Sequence, residues 1–367
     1  MLDRVVDRGV EQLGSPLVID RPSRHLRLVI HLALQFLERS YYLNSLYGRS
    51  SNTEDPMHVF VTGASGWVGR GLVPELTAGG HKVTGLARSD TAARSLRAMG
   101  AEARPGSLDD LDVLRDAAAS CDGVVHLAFK HDMFFAGDVA AATDADRAAI
   151  NAFGETLAGT GKPFVMASGM LGVLGLPPGA VATERDGLTP DTAADTGPIS
   201  GASGRMTNAR HALTLAGHGV RSSIVRLPPA THGRGDNGFT TTAISFARQK
   251  GAAAYIGDGS NRWPAVHRDD AARLFRLAIE SAPAGSVLHA VADEGVPIRT
   301  VAEAFAAQLR VPAVSVTTQQ AGDYVGWLGG LWGIDGPASA RITRDLLGWQ
   351  PIQPGLIDDL QQGHYFT

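Results

Sequence analysis

From Met57 to about residue 227, short apolar runs alternate with stretches of helical periodicity. His58–Thr62, Lys82–Ala87, Gly123–Ala128, Pro163–Ser168 and Ser223–Leu227 are the length of strands, with a briefer one at Ala101–Arg104. Near-continuous apolar runs of this length suit strands covered on both faces. Between them the spacing predicts helices at Trp67–Thr77, Thr91–Ala98, Asp109–Ala118, Val139–Leu157 and Arg205–Ala216. Gly79-Gly80 and Gly100 close the first two, and Pro74 predicts a local kink. This alternation predicts an α/β chain with a doubly wound parallel sheet and right-handed crossovers. After Pro228 the rhythm loosens, with helices expected at Thr240–Lys250, Asp269–Ser281 and Arg299–Leu309. We read 57–235 as the sheet domain and 236–367 as a smaller lobe, partly interleaved with it, over the carboxyl ends of the strands.

One turn carries more information than the rest. Strand one breaks into Thr62-Gly63-Ala64-Ser65-Gly66-Trp67-Val68-Gly69 and a helix follows. Gly63 allows a tight turn, Gly66 removes a Cβ that would meet phosphates, and Gly69 lets the helix pack against the strand. Backbone N–H groups around Ser65, Trp67 and Val68, with the helix dipole, then favour an anion. This is a Rossmann-type dinucleotide turn. Strand two ends in Arg88-Ser89, where an acid would grip a ribose 2′-OH. A guanidinium and a hydroxyl suit a 2′-phosphate instead, so NADP(H) is the preferred cofactor and NAD(H) the alternative. Ser107 and Leu108 are expected by the adenine, Leu127, Ala128 and Phe129 beneath the cofactor, and Pro228 at its far edge.

Composition narrows the partners. The net charge of −4 and the lack of a basic block argue against nucleic acid. The single cysteine, Cys121, excludes an intrachain disulfide and a cysteine metal cluster, and no His/Asp/Glu set has metal-ligand spacing. No apolar run has the length needed to span a bilayer, and a cytoplasmic protein acting on a small molecule is expected. The oligomeric state is open. Residues 1–56 stand outside the alternating pattern. Leu26–Leu37 is helix-like, Ser50–Pro56 is a polar linker, and Asp3, Asp7 and Glu11 fit a leader peptide poorly. A packing helix, a targeting segment and translation from a misplaced start remain open, and we expect this segment to be dispensable.

The glycine turn, the His126-Leu127-Ala128 strand end, the Val225-Arg226-Leu227-Pro228-Pro229…His232-Gly233 segment and Gly257-Asp258-Gly259…His267-Arg268-Asp269-Asp270 resemble extended short-chain dehydrogenases/reductases, the NAD-dependent epimerase/dehydratase group. The resemblance runs from about Met57 to the C-terminus. It implies catalysis by a Tyr with a Lys four residues later, between strands five and six. That window reads Ser-Gly-Ala-Ser-Gly-Arg-Met-Thr-Asn from Ser200 to Asn208, without either residue. The chain therefore resembles atypical members that lack the dyad. Candidate substitutes are His131 as acid/base, Lys130 toward ribose hydroxyls, Ser168 for the usual hydroxyl, and Arg205 for the missing positive charge. Ser203 is a candidate to orient substrate, and His232 to line the pocket. Gly172–Ser203, too long for a plain connector, is either a substrate cover or a surface loop. The leading expectation is an NAD(P)-dependent oxidoreductase for a small carbonyl or alcohol. A non-catalytic NADP(H) sensor is the alternative, and an epimerase or dehydratase a weaker one.

Overall fold

A computed structural model describes residues 55–173, 176, 177, 179–188 and 200–366. The expectations for residues 1–54, and for most of the stretch between 174 and 199, lie outside these.

The strands of the main sheet are β1 (His58–Thr62), β2 (Lys82–Ala87), β3 (Glu102–Pro105), β4 (Gly123–His126), β5 (Pro163–Gly169), β6 (Arg221–Leu227) and β10 (Ser286–His289). Their order is β10-β6-β5-β4-β1-β2-β3, with every neighbouring pair parallel. The order reverses between β1 and β4, which is where such sheets open a crevice for a ligand. The α-helices up to residue 309 are α1 (Gly69–Ala78), α2 (Asp90–Ala98), α3 (Leu111–Ser120), α4 (His131–Phe135), α5 (Val139–Leu157), α6 (Ser200–Thr214), α7 (Phe239–Lys250), α8 (Arg268–Ser281) and α9 (Ile298–Leu309), and short ones follow. Helix α1 continues through Pro74. Short α4 was not expected from the sequence, where Lys130 and His131 read as loop.

Two apolar layers sandwich the sheet. Val59, Val61, Val125, Val165, Val225 and Leu288 meet α1 and α8 through Leu72, Leu76, Leu274 and Phe275. Phe60, Val124, Phe164, Met166, Ile224 and Val287 meet α3, α5 and α6 through Leu114, Ile150, Phe153 and Ala212. Side chains alternate between faces along a strand. That parity puts Thr62, His126, Ser168, Arg226 and His289 on the α5/α6 face, in the last turns of their strands. A polar row thus caps an apolar layer at the carboxyl rim.

The remaining strands are β7 (Ala230–His232), β8 (Ala253–Ile256), β9 (Arg262–His267), β11 (Asp293–Pro297) and β12 (Ala313–Val316). They form a β11-β9-β7 sheet and a β12-β8 pair. With α7 and α9 they enclose a separate core around Trp263, Phe305, Trp332 and Leu360. The C-terminal part of the chain does not stay in this lobe, because α8 packs on α1 and β10 extends the main sheet.

Candidate active site

The glycine turn has the expected geometry. Gly63 sits at φ 69°, and a Cβ there would lie 2.7 Å from the Ala128 nitrogen. A Cβ on Gly69 would lie 2.4 Å from the carbonyl oxygens of Gly63 and Ala64, so helix α1 can approach β1 only with glycine there. Around Gly66 a Cβ would meet only the Gly63 carbonyl, at 3.1 Å for its oxygen, which leaves the outer side of the turn clear for a ligand. Phosphates fit this cradle: no side chain fills it, and a helix N-terminus opens beside it. Trp67 donates its Nε1–H to the Thr231 carbonyl at 3.1 Å.

The other expected cofactor residues line the same rim. Arg88, at the end of β2, is 76% exposed, with Asp132 at 3.7 Å. Ser89 Oγ caps α2 by accepting the Ala92 N–H at 3.2 Å, so its hydroxyl already has a structural task. Ser107 donates both its N–H and its hydroxyl to Asp110, at 2.7 and 2.9 Å, and Leu108 is buried. Leu127 and Ala128 are tied to Thr62, Leu127 N–H to its carbonyl and Ala128 N–H to its hydroxyl. Pro228 opens the turn between β6 and β7, its carbonyl accepting the Thr231 hydroxyl at 3.0 Å. Lys130 Nζ is held by both oxygens of Asp109 at 2.7 Å. It clips the loop after β4 to the loop after β3.

Beneath the rim runs a buried polar chain that sequence reading missed. Thr62 Oγ1 lies 2.7 Å from His126 Nδ1, and His126 Nε2 lies 3.1 Å from Asp146 Oδ1. Asn208 Nδ2 donates to Asp146 Oδ2 at 2.8 Å, and Arg147 Nε donates to Asn208 Oδ1 at 2.8 Å. One proton arrangement satisfies every link. The Thr62 hydroxyl, accepting from Ala128 N–H, donates to Nδ1, and Nε2–H donates to Asp146. The carboxylate then accepts two bonds. Burial works against ionising Asp146, but the bonds from His126 and Asn208 and the nearby Arg205 guanidinium outweigh it and hold the carboxyl below its ordinary range. One signal was available in the sequence. Asp146 falls on the apolar stripe of α5, with Ala142, Ala149, Ile150 and Phe153.

Arg205 and the Phe129–His131 segment meet above this chain. The Arg205 guanidinium stacks 4.1 Å over the Phe129 ring and donates to the Ala167 carbonyl at 3.1 Å. Its Nε is buried without a hydrogen-bond partner. Burial lowers the guanidinium pKa and Asp146 opposes the shift. His131 stands edge-on to Phe129 at 5.1 Å. His131 is exposed, but the desolvation of its imidazole, and then the Arg205 charge, push its pKa down to about 4. A neutral imidazole at physiological pH accepts a proton and does not donate one as imidazolium. Ser168 is buried two residues beyond the β5 position that pairs with His126, and pairs in register with Arg226. Ser203 lies where side chains are outside the described set.

His232 is not at an open pocket. It is fully buried, with Nδ1 bonded to Asp359 Oδ2 at 2.9 Å, so its expected place in the substrate pocket is corrected. The position belongs to the wall between the two lobes. Further along the rim, Arg226 Nη1 lies 3.3 Å from His289 Nε2, while His289 Nδ1 faces the Ser339 carbonyl at 2.8 Å. His289 is then a neutral acceptor toward Arg226. Burial and that guanidinium push its pKa down to about 4. Glu184 accepts both the N–H and the hydroxyl of Thr343 at 2.7 Å, which ties the segment after β5 to the C-terminal region. Among the described residues no group of three or more His, Cys, Asp or Glu could hold a metal. Among the same residues no helix is long and apolar enough to cross a membrane.

Comparison with known proteins agrees with this geometry. The family model described as the NAD dependent epimerase/dehydratase family matches residues 59–143. An uncharacterised protein of Schizosaccharomyces pombe is 42% identical over 310 residues, covering 84% of this chain and 100% of its own. A 2-alkyl-3-oxoalkanoate reductase of Stenotrophomonas maltophilia is 27% identical over 270 residues, covering 70% of this chain and 77% of its own. Among solved structures, UDP-glucose 4-epimerase from Thermotoga maritima superposes with a TM-score of 0.66 at 17% identity, covering 84% of this chain and 98% of that one. A dTDP-glucose 4,6-dehydratase from Streptomyces venezuelae with NAD bound gives 0.65 at 19%, covering 84% and 96%. With the glycine turn, the sheet order and likenesses over most of the chain together, the chain belongs to the NAD-dependent epimerase/dehydratase family of extended short-chain dehydrogenases/reductases.

Proposed function

We propose that the protein is an NADP(H)-dependent oxidoreductase that interconverts a small carbonyl compound and its alcohol, without a Tyr–Lys pair. The observation that carries this reading is Arg205. It is a guanidinium at the carboxyl end of β5, stacked on the loop after β4, with a buried Nε that has no partner. A buried N–H without a partner costs about 1–3 kcal/mol, and a substrate oxygen accepting from it would recover that cost. The oxygen gains negative charge as hydride arrives, so a fixed cation beside it stabilises the transition state more than the ground state. When bound, the nicotinamide supplies or accepts that hydride. Arg205 holds the oxygen, Phe129 fixes the plane of the guanidinium, and Asp146 beneath keeps the charge balanced. In reduction the new alkoxide takes its proton from water, and in oxidation the alcohol proton leaves to water, because His131, with its pKa pushed down to about 4, is a weak base and is not protonated near neutrality. Arg88 supports the 2′-phosphate preference, because its exposed guanidinium can swing onto a ligand at the end of β2. The Stenotrophomonas relative, named for reduction of a 3-oxoalkanoate, supports a carbonyl substrate.

The absence of a Tyr in the 200–208 window favours a second reading, a dinucleotide sensor without turnover. One screen separates the two. The full-length protein is incubated with NADPH and a panel of aldehydes, ketones and 3-oxo acids, then with NADP⁺ and the alcohols, following reduced-nicotinamide absorbance. Turnover with NADPH above NADH supports the proposal. Tight NADPH binding with no turnover across the panel contradicts it and favours the sensor.

A further inference from the structure

The C-terminal tail reaches the glycine turn through a short series of contacts. The Tyr365 hydroxyl accepts the Gly233 N–H at 2.8 Å and lies 3.1 Å from Asp359 Oδ2, to which it donates. The same carboxylate oxygen accepts His232 Nδ1–H, so one carboxylate pins the tail and β7 together. One residue earlier, the Thr231 carbonyl accepts the indole N–H of Trp67, which belongs to the glycine turn. Arg268 lies 4.7 Å over the Trp67 ring and donates to the Arg234 carbonyl at 3.4 Å. The segment 231–234 is therefore gripped by the tail on one side and by the glycine turn on the other. It has little slack. Gly233 sits at φ 136°, and a Cβ there would lie 2.9 Å from His267 Nε2.

We propose that the C-terminal tail is a clasp for the dinucleotide site, with Tyr365 a positioning residue that acts through Gly233, Thr231 and Trp67. The inference rests on dinucleotide binding at the glycine turn. Phosphate binding there depends on where the backbone N–H groups beside Trp67 point, and the indole bond to Thr231 fixes that direction. Tyr365→Phe removes the hydroxyl that holds the Gly233 N–H and deprives Asp359 of a donor. The register of 231–233 then loosens, and the turn loosens with it.

The test uses the full-length protein and NADPH, titrated by nicotinamide fluorescence. Tyr365→Phe and Trp67→Phe should each weaken NADPH binding about fivefold, the effect of one net hydrogen bond. If they act along one path, the double variant should be no more than about twofold weaker than the worse single variant, since coupled sites are not additive. Trp332→Phe, which removes an indole bond to the Ala254 carbonyl in the other lobe's core, is the control. It should lower the thermal midpoint and leave NADPH affinity unchanged. An unchanged or tighter Kd in Tyr365→Phe overturns the clasp, as do independent, multiplying effects in the double variant. A wild-type chain that binds neither NADPH nor NADH overturns the cofactor reading itself, and the clasp with it.

Discussion

Arg88 and His131 show how differently two sequence candidates fare once placed. Arg88 is exposed at the end of β2, and its nearest acid, Asp132, is itself exposed, so the pair is weak and the guanidinium remains recruitable. Arg88→Ala should raise the Kd for NADPH by about 10- to 100-fold, the worth of a charged hydrogen bond, and barely change that for NADH. Parallel titration with the two dinucleotides checks this, and equal weakening would remove the 2′-phosphate role. His131 has the opposite history. Its ordinary pKa and its place after β4 make it the best acid/base candidate in the sequence, but desolvation and the Arg205 charge push that pKa down to about 4. A limb of the pH–rate profile near neutrality should therefore survive in His131→Ala. Loss of that limb would show that the bound state restores a more ordinary imidazole.

At the scale of elements, the buried chain from Thr62 to Arg147 joins β1, β4, α5 and α6 beneath the rim. Asp146→Ala leaves His126 Nε2 without its partner in an apolar layer and takes from Asn208 Nδ2 one of its two acceptors, the other being the Thr143 carbonyl. It should destabilise the protein by roughly 3–5 kcal/mol, read as a lower denaturation midpoint in urea, whereas a surface change such as Asp112→Ala should cost little. Strands and helices were legible because burial on two faces imposes long apolar runs and glycine stops. Lys82–Ala87 and Val139–Leu157 are observed with the bounds the pattern predicts. The polar chain was harder to see. Its partners stand 20 to 66 residues apart, and nothing local marks Asp146 except its place on an apolar stripe. Helix α4 hid behind its shortness, and the short strands β7 to β12 behind the lack of alternation. Of the candidate site, the glycine turn and the place of Arg205 were readable. The burial of His232 and the capture of Lys130 by Asp109 depend on residues 127 and 21 positions away.

For the molecule as a whole, two buried groups set opposing pH dependences. Burial raises the Asp236 pKa to about 6, above the ordinary 3.8, so the folded state binds a proton more tightly than the unfolded chain. Its cost is in full force above pH 6 and is relieved as pH falls toward 4. Asp236→Asn should therefore raise the thermal midpoint at pH 7.5, by up to about 3 kcal/mol of stability, and change it little at pH 4. His289 works the other way. Its lowered pKa contributes stability that is present above 6.5 and lost as pH falls toward 4, so His289→Gln should flatten the acid side of the profile. Thermal melts across pH 4 to 8 separate the two. The catalysis proposed above rests on neither group but on Arg205, and the most direct measurement is the split between binding and turnover in its variants. Using the best substrate from the carbonyl panel, Arg205→Met should lower kcat by about 10²- to 10³-fold with NADPH affinity nearly intact, and Arg205→Lys should recover part of the loss. Full turnover in Arg205→Met would contradict the account, as would a loss of NADPH binding large enough to explain the lost rate.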